Sequence, residues 1–152
     1  MKIAEVESLL LGGAHFVRIT TDEGLVGLGQ SACWAYPEAV DAVIGTFRGY
    51  LLGQNPHQIE RHWQHLYRMG PFRGSVLSGA VSAVDIALWD LKGQALQAPI
   101  WELLGGMYRD RIRLHLLMAA RRHKTCGRTL CRRPRRGSPP SNSIPSRPDT
   151  AT

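Results

Sequence analysis

The spacing of hydrophobic residues changes along the chain, and this change predicts strands first and helices afterwards. Apolar stretches separated by Gly12-Gly13 and by Asp22-Glu23-Gly24 indicate an antiparallel meander of three short strands. The strands are predicted at Lys2 to Leu11, Ala14 to Thr21 and Leu25 to Gly29.

Helical spacing begins at Pro37, because proline is well tolerated in the first turn of a helix. A first helix is predicted from Pro37 to about Gly53, and a second from the capping pair Asn55-Pro56 to about Met69. We expect the first to bury Val40, Ile44, Phe47 and Leu51, and the second to bury Ile59, Trp63 and Leu66.

A longer helix of about six turns follows, with one apolar stripe along its length. Pro99 stops this helix, and the residues from Trp101 to Leu104 predict one further short turn. Gly105-Gly106 then ends that turn, because glycine adopts a left-handed backbone without steric cost. The stripe consists of Leu77, Val81, Val84, Leu88, Leu91 and Ala95.

The segment from Ser78 to Gly106 reads SGAVSAVDIALWDLKGQALQAPIWELLGG. It resembles the enolase superfamily, in particular the branch of mandelate racemase and muconate lactonizing enzyme. The resemblance implies an α+β fold in which the three-stranded meander and a helical bundle form an N-terminal capping domain, at residues 1–112. It also implies that residues 113–120, which include RLHLLM, are the first strand of a (β/α)8-type barrel.

Residues 121–152 differ in composition from the rest of the chain. They hold nine of the 19 Lys and Arg residues, five of the nine prolines and no Phe, Trp or Tyr. Such a segment lacks the apolar surface for a core and is expected to be disordered. A frameshift near codon 120 would explain it, because the codons of Arg136 to Pro145 in another frame permit Gly-Phe-Thr-Ala-Ile-Lys-Phe-Asp-Pro, which resembles the second barrel strand.

The resemblance implies that an intact parent is a dehydratase or racemase of sugar acids or other 2-hydroxy acids. In the family, Lys or His on the barrel removes a proton next to a carboxylate, and Mg²⁺ held by three acidic residues stabilises the product of that step. After Ala120 the only acidic residue is Asp149 and the only lysine is Lys124. We therefore predict no catalytic residue, no metal ligand and no cofactor in this chain, which is expected to be inactive by itself.

Two loops of the capping domain fold over the barrel mouth in the family and contact the substrate. By resemblance these are Ser31 to Tyr36 and Gly70 to Gly74. The expected partners are a small carboxylate substrate in the intact parent and further copies of the chain in an oligomer. The candidate specificity residues are Trp34, Tyr36, Phe72 and Arg73; Arg73 would bind a carboxylate through two hydrogen bonds, although solvated or packed side chains are the alternative.

Other polar motifs have structural interpretations. Gly24, Gly27 and Gly29 are expected to be turn or bulge glycines, because a phosphate-binding loop should open a helix. His62 is expected on a solvated face, whereas His15 is expected to be partly buried and hydrogen-bonded. Asp85 and Asp90 are expected to cap or pack against neighbouring loops.

The basic tail provides an alternative function, because arginine pairs such as Arg132-Arg133 can neutralise phosphates on nucleic acid or an anionic surface. Missing aromatic residues and the absence of a nucleic-acid-binding module argue against it. Cys33, Cys126 and Cys131 form no disulfide-rich pattern, and the sequence shows neither a signal peptide nor a membrane span. The cytoplasm is therefore the expected location.

Overall fold

The strands and helices follow one another in the order that the hydrophobic pattern predicts. The computed structural model describes residues 1–31, 36–70 and 73–111. The strands are β1 (Ile3–Leu11), β2 (Ala14–Thr21) and β3 (Val26–Ser31). The helices are α1 (Pro37–Leu51), α2 (Ile59–Arg68), α3 (Ser75–Leu96) and the short α4 (Ile100–Leu103).

The three strands form an antiparallel sheet in the order β1-β2-β3. The register pairs Val6 with Ile19 in the first hairpin and His15 with Ser31 in the second. Gly12 and Gly13 have φ angles of 58° and 89°, which turn the chain tightly between β1 and β2. Alternate residues of β2 and β3 are buried, so one face of the sheet packs against the helices.

The core lies between this sheet and the helices. Val40, Ile44, Phe47 and Leu51 of α1 are all buried, as the sequence predicts. In α2, Ile59 and Leu66 are buried, and Trp63 packs at the edge of the core. The stripe of α3 is confirmed from Leu77 to Leu91, but Ala95 in its last turn is exposed.

A second face of α3 is buried as well, and the sequence analysis missed it. Ala83 and Ala87 pack directly on β3, where a Cβ added to Gly29 would lie 1.9 Å from the carbonyl oxygen of Ala83. A Cβ added to Gly27 would lie 2.2 Å from the carbonyl oxygen of Ala87. The interpretation of Gly27 and Gly29 as turn or bulge glycines is therefore wrong, because β3 pairs regularly with β2 and these glycines allow the helix backbone to approach the strand.

The ends of two helices also differ from the sequence prediction. The pair Asn55-Pro56 starts a turn and not the helix itself: the Asn55 side chain accepts a hydrogen bond from the backbone N–H of His57 at 3.0 Å, and α2 begins at Ile59. At the end of α3 the left-handed residue is Gln97, with a φ of 52°. Gly105 and Gly106 have positive φ angles of 111° and 103° after α4, as predicted.

The first compact unit of the chain is Met1–Arg111. The predicted barrel strand at residues 113–120 and the basic tail at residues 121–152 lie outside the described residues, as does Cys33. Among the described helices, none is long and apolar enough to cross a membrane.

Candidate functional site

The described residues that flank the two predicted specificity loops lie at the same end of the domain. The strand β3 runs antiparallel to α3, because Gln94 donates a hydrogen bond to the carbonyl of Val26 at 2.7 Å and Ala83 contacts Gly29 further along the strand. The end of β3 at Ser31 therefore points towards the start of α3 at Ser75. We call this part of the domain, with Ser31, Tyr36 and Arg73, the loop end.

Tyr36 immediately precedes α1 and occupies the capping position of that helix. Its carbonyl oxygen accepts hydrogen bonds from the backbone N–H groups of Ala39 and Val40, at 3.1 and 3.2 Å. The side chain makes no capping hydrogen bond and is 62% exposed. The backbone of Tyr36 is thus fixed by the helix, while its ring is accessible to a ligand. Its predicted companion Trp34 lies outside the described residues.

Arg73 lies between α2 and α3 and is held against the end of α2. Its Nε donates a hydrogen bond to the carbonyl oxygen of Tyr67 at 3.1 Å, and its guanidinium carbon lies 4.6 Å from the centre of the Tyr67 ring. The last carbonyls of a helix lack partners within the helix, so Arg73 satisfies one of them. This arrangement fixes the Nε edge and leaves the two terminal nitrogens of an exposed side chain for a carboxylate.

The loop end does not join all four predicted residues into one described cluster. Phe72, like Trp34, lies outside the described residues. Tyr36 and Arg73 share no hydrogen bond or cation–π contact in the part of the chain that the structure describes. Tyr36 and Arg73 therefore have two features in common: both lie at the loop end, and both are exposed to solvent.

His15, which the sequence analysis did not associate with the site, pairs with Ser31 of the loop end in the sheet. His15 is buried and its Nε2 lies 2.7 Å from Oγ of Ser8. Burial lowers the pKa of His15, and the nearby Asp41 partly opposes this effect. Ser31, the register partner of His15, is also buried, and neither its Oγ nor Nδ1 of His15 has a hydrogen-bond partner among the described residues. The sequence prediction ended β3 at Gly29 and thus left Ser31 in the loop.

The prediction for His62 is wrong, because this side chain is fully buried and not on a solvated face. Its Nε2 donates to the carbonyl of Asn55 at 2.9 Å, so Nδ1 of the neutral ring accepts a hydrogen bond from the hydroxyl of Tyr50 at 3.0 Å. Burial lowers the pKa of His62 and the bond to Asn55 partly opposes this. His62 therefore connects α1 to the turn before α2.

Asp90 has a structural role, as the sequence predicts, but it binds a strand and not a neighbouring loop. Its Oδ2 accepts a hydrogen bond from the backbone N–H of Leu28 at 3.0 Å, which ties α3 to the edge strand β3. Asp85 lies instead on the side of α3 that faces α2, where it is half-buried.

The described residues do not provide a site for the magnesium ion that the family resemblance implies. Such sites need several carboxylate or carbonyl oxygens that converge on one point. Within residues 1–31, 36–70 and 73–111 there is no group of three or more His, Cys, Asp or Glu side chains that could hold a metal. Among its described residues, the loop end offers an exposed ring and a cation to a ligand.

Comparison with protein families gives a match that covers most of the described chain. Residues 12–105 match the family "Mandelate racemase / muconate lactonizing enzyme, N-terminal domain". The chain is 45% identical over 101 residues to the D-galactonate dehydratase of Klebsiella pneumoniae (strain 342), which covers 66% of this chain and 26% of the relative. It is 46% identical over 101 residues to the D-galactonate dehydratase of Verminephrobacter eiseniae (strain EF01-2), with the same coverage. The chain thus spans about a quarter of the length of these relatives.

Solved structures share the fold of this region. An enolase from Agrobacterium radiobacter with bound sodium and L-malate has a TM-score of 0.71 and 31% identity, covering 75% of this chain and 30% of that one. An enolase from Pantoea ananatis with bound D-gluconate and magnesium has a TM-score of 0.69 and 37% identity, covering 72% of this chain and 28% of that one. The three-stranded sheet and the following helices therefore correspond to the N-terminal domain of enolase-superfamily proteins.

Proposed function

This chain belongs to the family of mandelate racemase / muconate lactonizing enzyme N-terminal domains, and from that premise we propose that it is the capping part of a sugar-acid dehydratase. The observation that carries the proposal is the identity of 45% over 101 residues with a D-galactonate dehydratase. The bound D-gluconate of the Pantoea ananatis relative supports the same substrate class, a small polyhydroxy carboxylate.

The loop end is the part of the domain that would contact the substrate in this proposal. Arg73 is a cation held at its Nε edge by Tyr67, so it can offer two parallel N–H groups to a carboxylate. Tyr36 adds an exposed ring with a hydroxyl that can bind a sugar hydroxyl. We assign the same role to Trp34 and Phe72 by their positions in the two loops.

The reaction itself would depend on groups outside the described residues. Removing a proton next to a carboxylate requires a positioned base and a cation that receives the developing negative charge. Magnesium would supply that cation in the intact parent, as the magnesium of the Pantoea ananatis enolase supports. We expect the chain alone to be inactive, because in this proposal the capping domain contributes binding contacts and not the base. The intact parent would be the dehydratase, and its barrel would carry the base that removes the proton.

A chimera tests this proposal. Residues 12–105 of this chain replace the corresponding residues of the Klebsiella pneumoniae D-galactonate dehydratase, and dehydration of D-galactonate is measured with magnesium present. We expect the chimera to be active and the isolated chain to be inactive. A chimera that folds but does not turn over D-galactonate or D-gluconate would contradict the substrate class.

The role of Arg73 is tested in the same chimera. Arg73→Gln removes the charge that would bind the carboxylate, so we expect kcat/KM to fall by about tenfold or more, corresponding to the loss of one charged hydrogen-bond pair. Arg68→Gln is the matched control, because Arg68 is an exposed arginine in the last turn of α2. If the two substitutions lowered kcat/KM equally, the effect would come from the loss of any exposed positive charge, and Arg73 would not bind the substrate directly.

A further inference from the structure

A groove lies between α2 and α3, away from the sheet. It has a volume of about 350 Å³ and is lined by Ile59, Glu60, Trp63, Asp85 and Trp89. Two of these residues carry carboxylates and two carry indole rings. The groove therefore combines negative charge with aromatic surface, and neither the family match nor the proposed capping role assigns it a function.

The two carboxylates of the groove have no cationic partner among the described residues. The ion pairs in this part of the chain join the N-terminal amine to Glu23 and Glu7 to Arg18, and neither involves Glu60 or Asp85. Glu60 accepts one hydrogen bond from the amide of Gln64 at 2.8 Å. Burial raises the pKa of Asp85, and repulsion from Glu60 raises it further. A cation in the groove would therefore meet two carboxyl groups that form no ion pair within the part of the chain that the structure describes.

The aromatic residues of the groove already take part in contacts with rings and cations. Trp63 stacks on Tyr67 with a centroid distance of 4.8 Å, so the position of its ring is fixed. The ammonium group of Lys92 lies 5.0 Å from the centre of the Trp89 ring. The face of an indole attracts cations because its π electrons are negative. The rings and the carboxyl groups of this groove therefore both favour a positively charged ligand.

We propose that this groove is a docking site for an arginine side chain of a partner protein. A guanidinium is planar, so it can lie on an indole ring while its N–H groups bind carboxylates in pairs. Charge complementarity favours a cation over a neutral ligand such as a sugar, since the groove is lined by two indole rings and by two carboxyl groups that have no ion-pair partner among the described residues. This assignment is independent of the proposed dehydratase function, because the groove lies on α2 and α3 and does not include Tyr36 or Arg73.

The test uses the full chain and N-acetyl-arginine amide as the probe. The indole N–H signals of Trp63 and Trp89 are assigned by the variants Trp63→Phe and Trp89→Phe and followed by NMR during the titration. We expect both signals to shift and to saturate with a Kd of about a few millimolar, as for one side chain without its protein. N-acetyl-citrulline amide has nearly the same shape without the charge, and we expect it to bind at least about tenfold more weakly.

Variants of the carboxylates decide whether the groove itself binds the probe. The double variant Glu60→Gln, Asp85→Asn should weaken binding at least about tenfold while the amide spectrum remains that of the folded protein. Lys92→Gln is the control, because it changes a neighbouring charge but keeps both carboxylates, and its Kd should be equal or lower. Absent shifts, equal binding of the citrulline probe, or unchanged binding by the double variant would each overturn the assignment.

Discussion

The helix α3 is packed on two sides in two different ways. On the side of β3, Ala83 and Ala87 of the helix pack against Gly29 and Gly27 of the strand. The backbone of α3 therefore lies directly on the backbone of β3. On the side of α2, the helix carries the side chains of Asp85 and Trp89, and an open groove lies between the two helices. One helix thus has a closely fitted side and a loosely fitted side.

The two sides of α3 therefore differ in how much space they leave for a changed side chain. On the β3 side, additional atoms have no space, and the hydrogen bonds of Asp90 and Gln94 to the strand fix the spacing further. On the α2 side, the carboxyl group of Asp85 is half-buried, and its pKa is raised because burial opposes its charge. We therefore expect substitutions to cost most stability next to β3 and least next to the groove.

The largest effect is expected for Gly29→Ala. The new Cβ would lie 1.9 Å from the carbonyl oxygen of Ala83, so β3 and α3 must move apart. We expect the free energy of unfolding to fall by about 3 kcal/mol or more, as for severe overpacking. Urea unfolding of the full chain followed by circular dichroism measures it.

Gly49→Ala is the control for this substitution. Gly49 lies within α1, and nothing lies within 4 Å of the position of an added Cβ. Because alanine favours the helix, we expect this variant to be more stable by up to about 1 kcal/mol. If Gly29→Ala were tolerated as well as Gly49→Ala, the close contact between strand and helix would not exist in solution.

We expect acidification to lower the free energy of unfolding by an intermediate amount, because a neutral buried histidine connects α2 to α1. The pKa of His62 is lowered from 6.5 in the folded protein, chiefly by burial. Its contribution to stability is therefore complete above about pH 6.5 and decreases as the pH falls below that value, since the unfolded chain binds the proton more readily. We expect the free energy of unfolding to decrease between about pH 7 and pH 5.

The variant His62→Gln isolates the contribution of this histidine. It should reduce the pH dependence but not abolish it, because burial also lowers the pKa of His15 in the same direction. The measurement is the slope of the unfolding free energy against pH for both proteins. Identical slopes would show that His62 does not remain neutral in the folded state.

The hydrophobic pattern predicted the elements of the fold because the large apolar residues of most helices and strands lie on one buried face. Val40, Ile44, Phe47 and Leu51 follow helical spacing and are all buried. The second face of α3 was missed because alanine and glycine carry little hydrophobic signal, so Ala83 and Ala87 do not stand out from their neighbours. Their importance follows only from the strand that packs on them, which is a tertiary contact.

The candidate site was predicted less completely than the fold. The resemblance placed Tyr36 and Arg73 in loops, and the structure places both at one end of the domain. The fixation of Arg73 by Tyr67 was not foreseen, because a hydrogen bond from residue 73 to the end of α2 depends on the path of the intervening loop. His62 was misassigned because its spacing from Ile59 and Leu66 on the buried face was given less weight than its polarity.

The smallest effect on stability is expected at the groove, for Asp85→Asn. Because the folded protein raises the pKa of Asp85, ionisation of this carboxyl opposes folding, and its contribution decreases as the pH rises through the folded pKa. At pH 7 the amide removes the charge but keeps the size, so we expect equal or slightly greater stability in urea unfolding. A clear loss of stability would mean that Asp85 has a cationic partner in the folded chain, and the two sides of α3 would then differ less than their packing indicates.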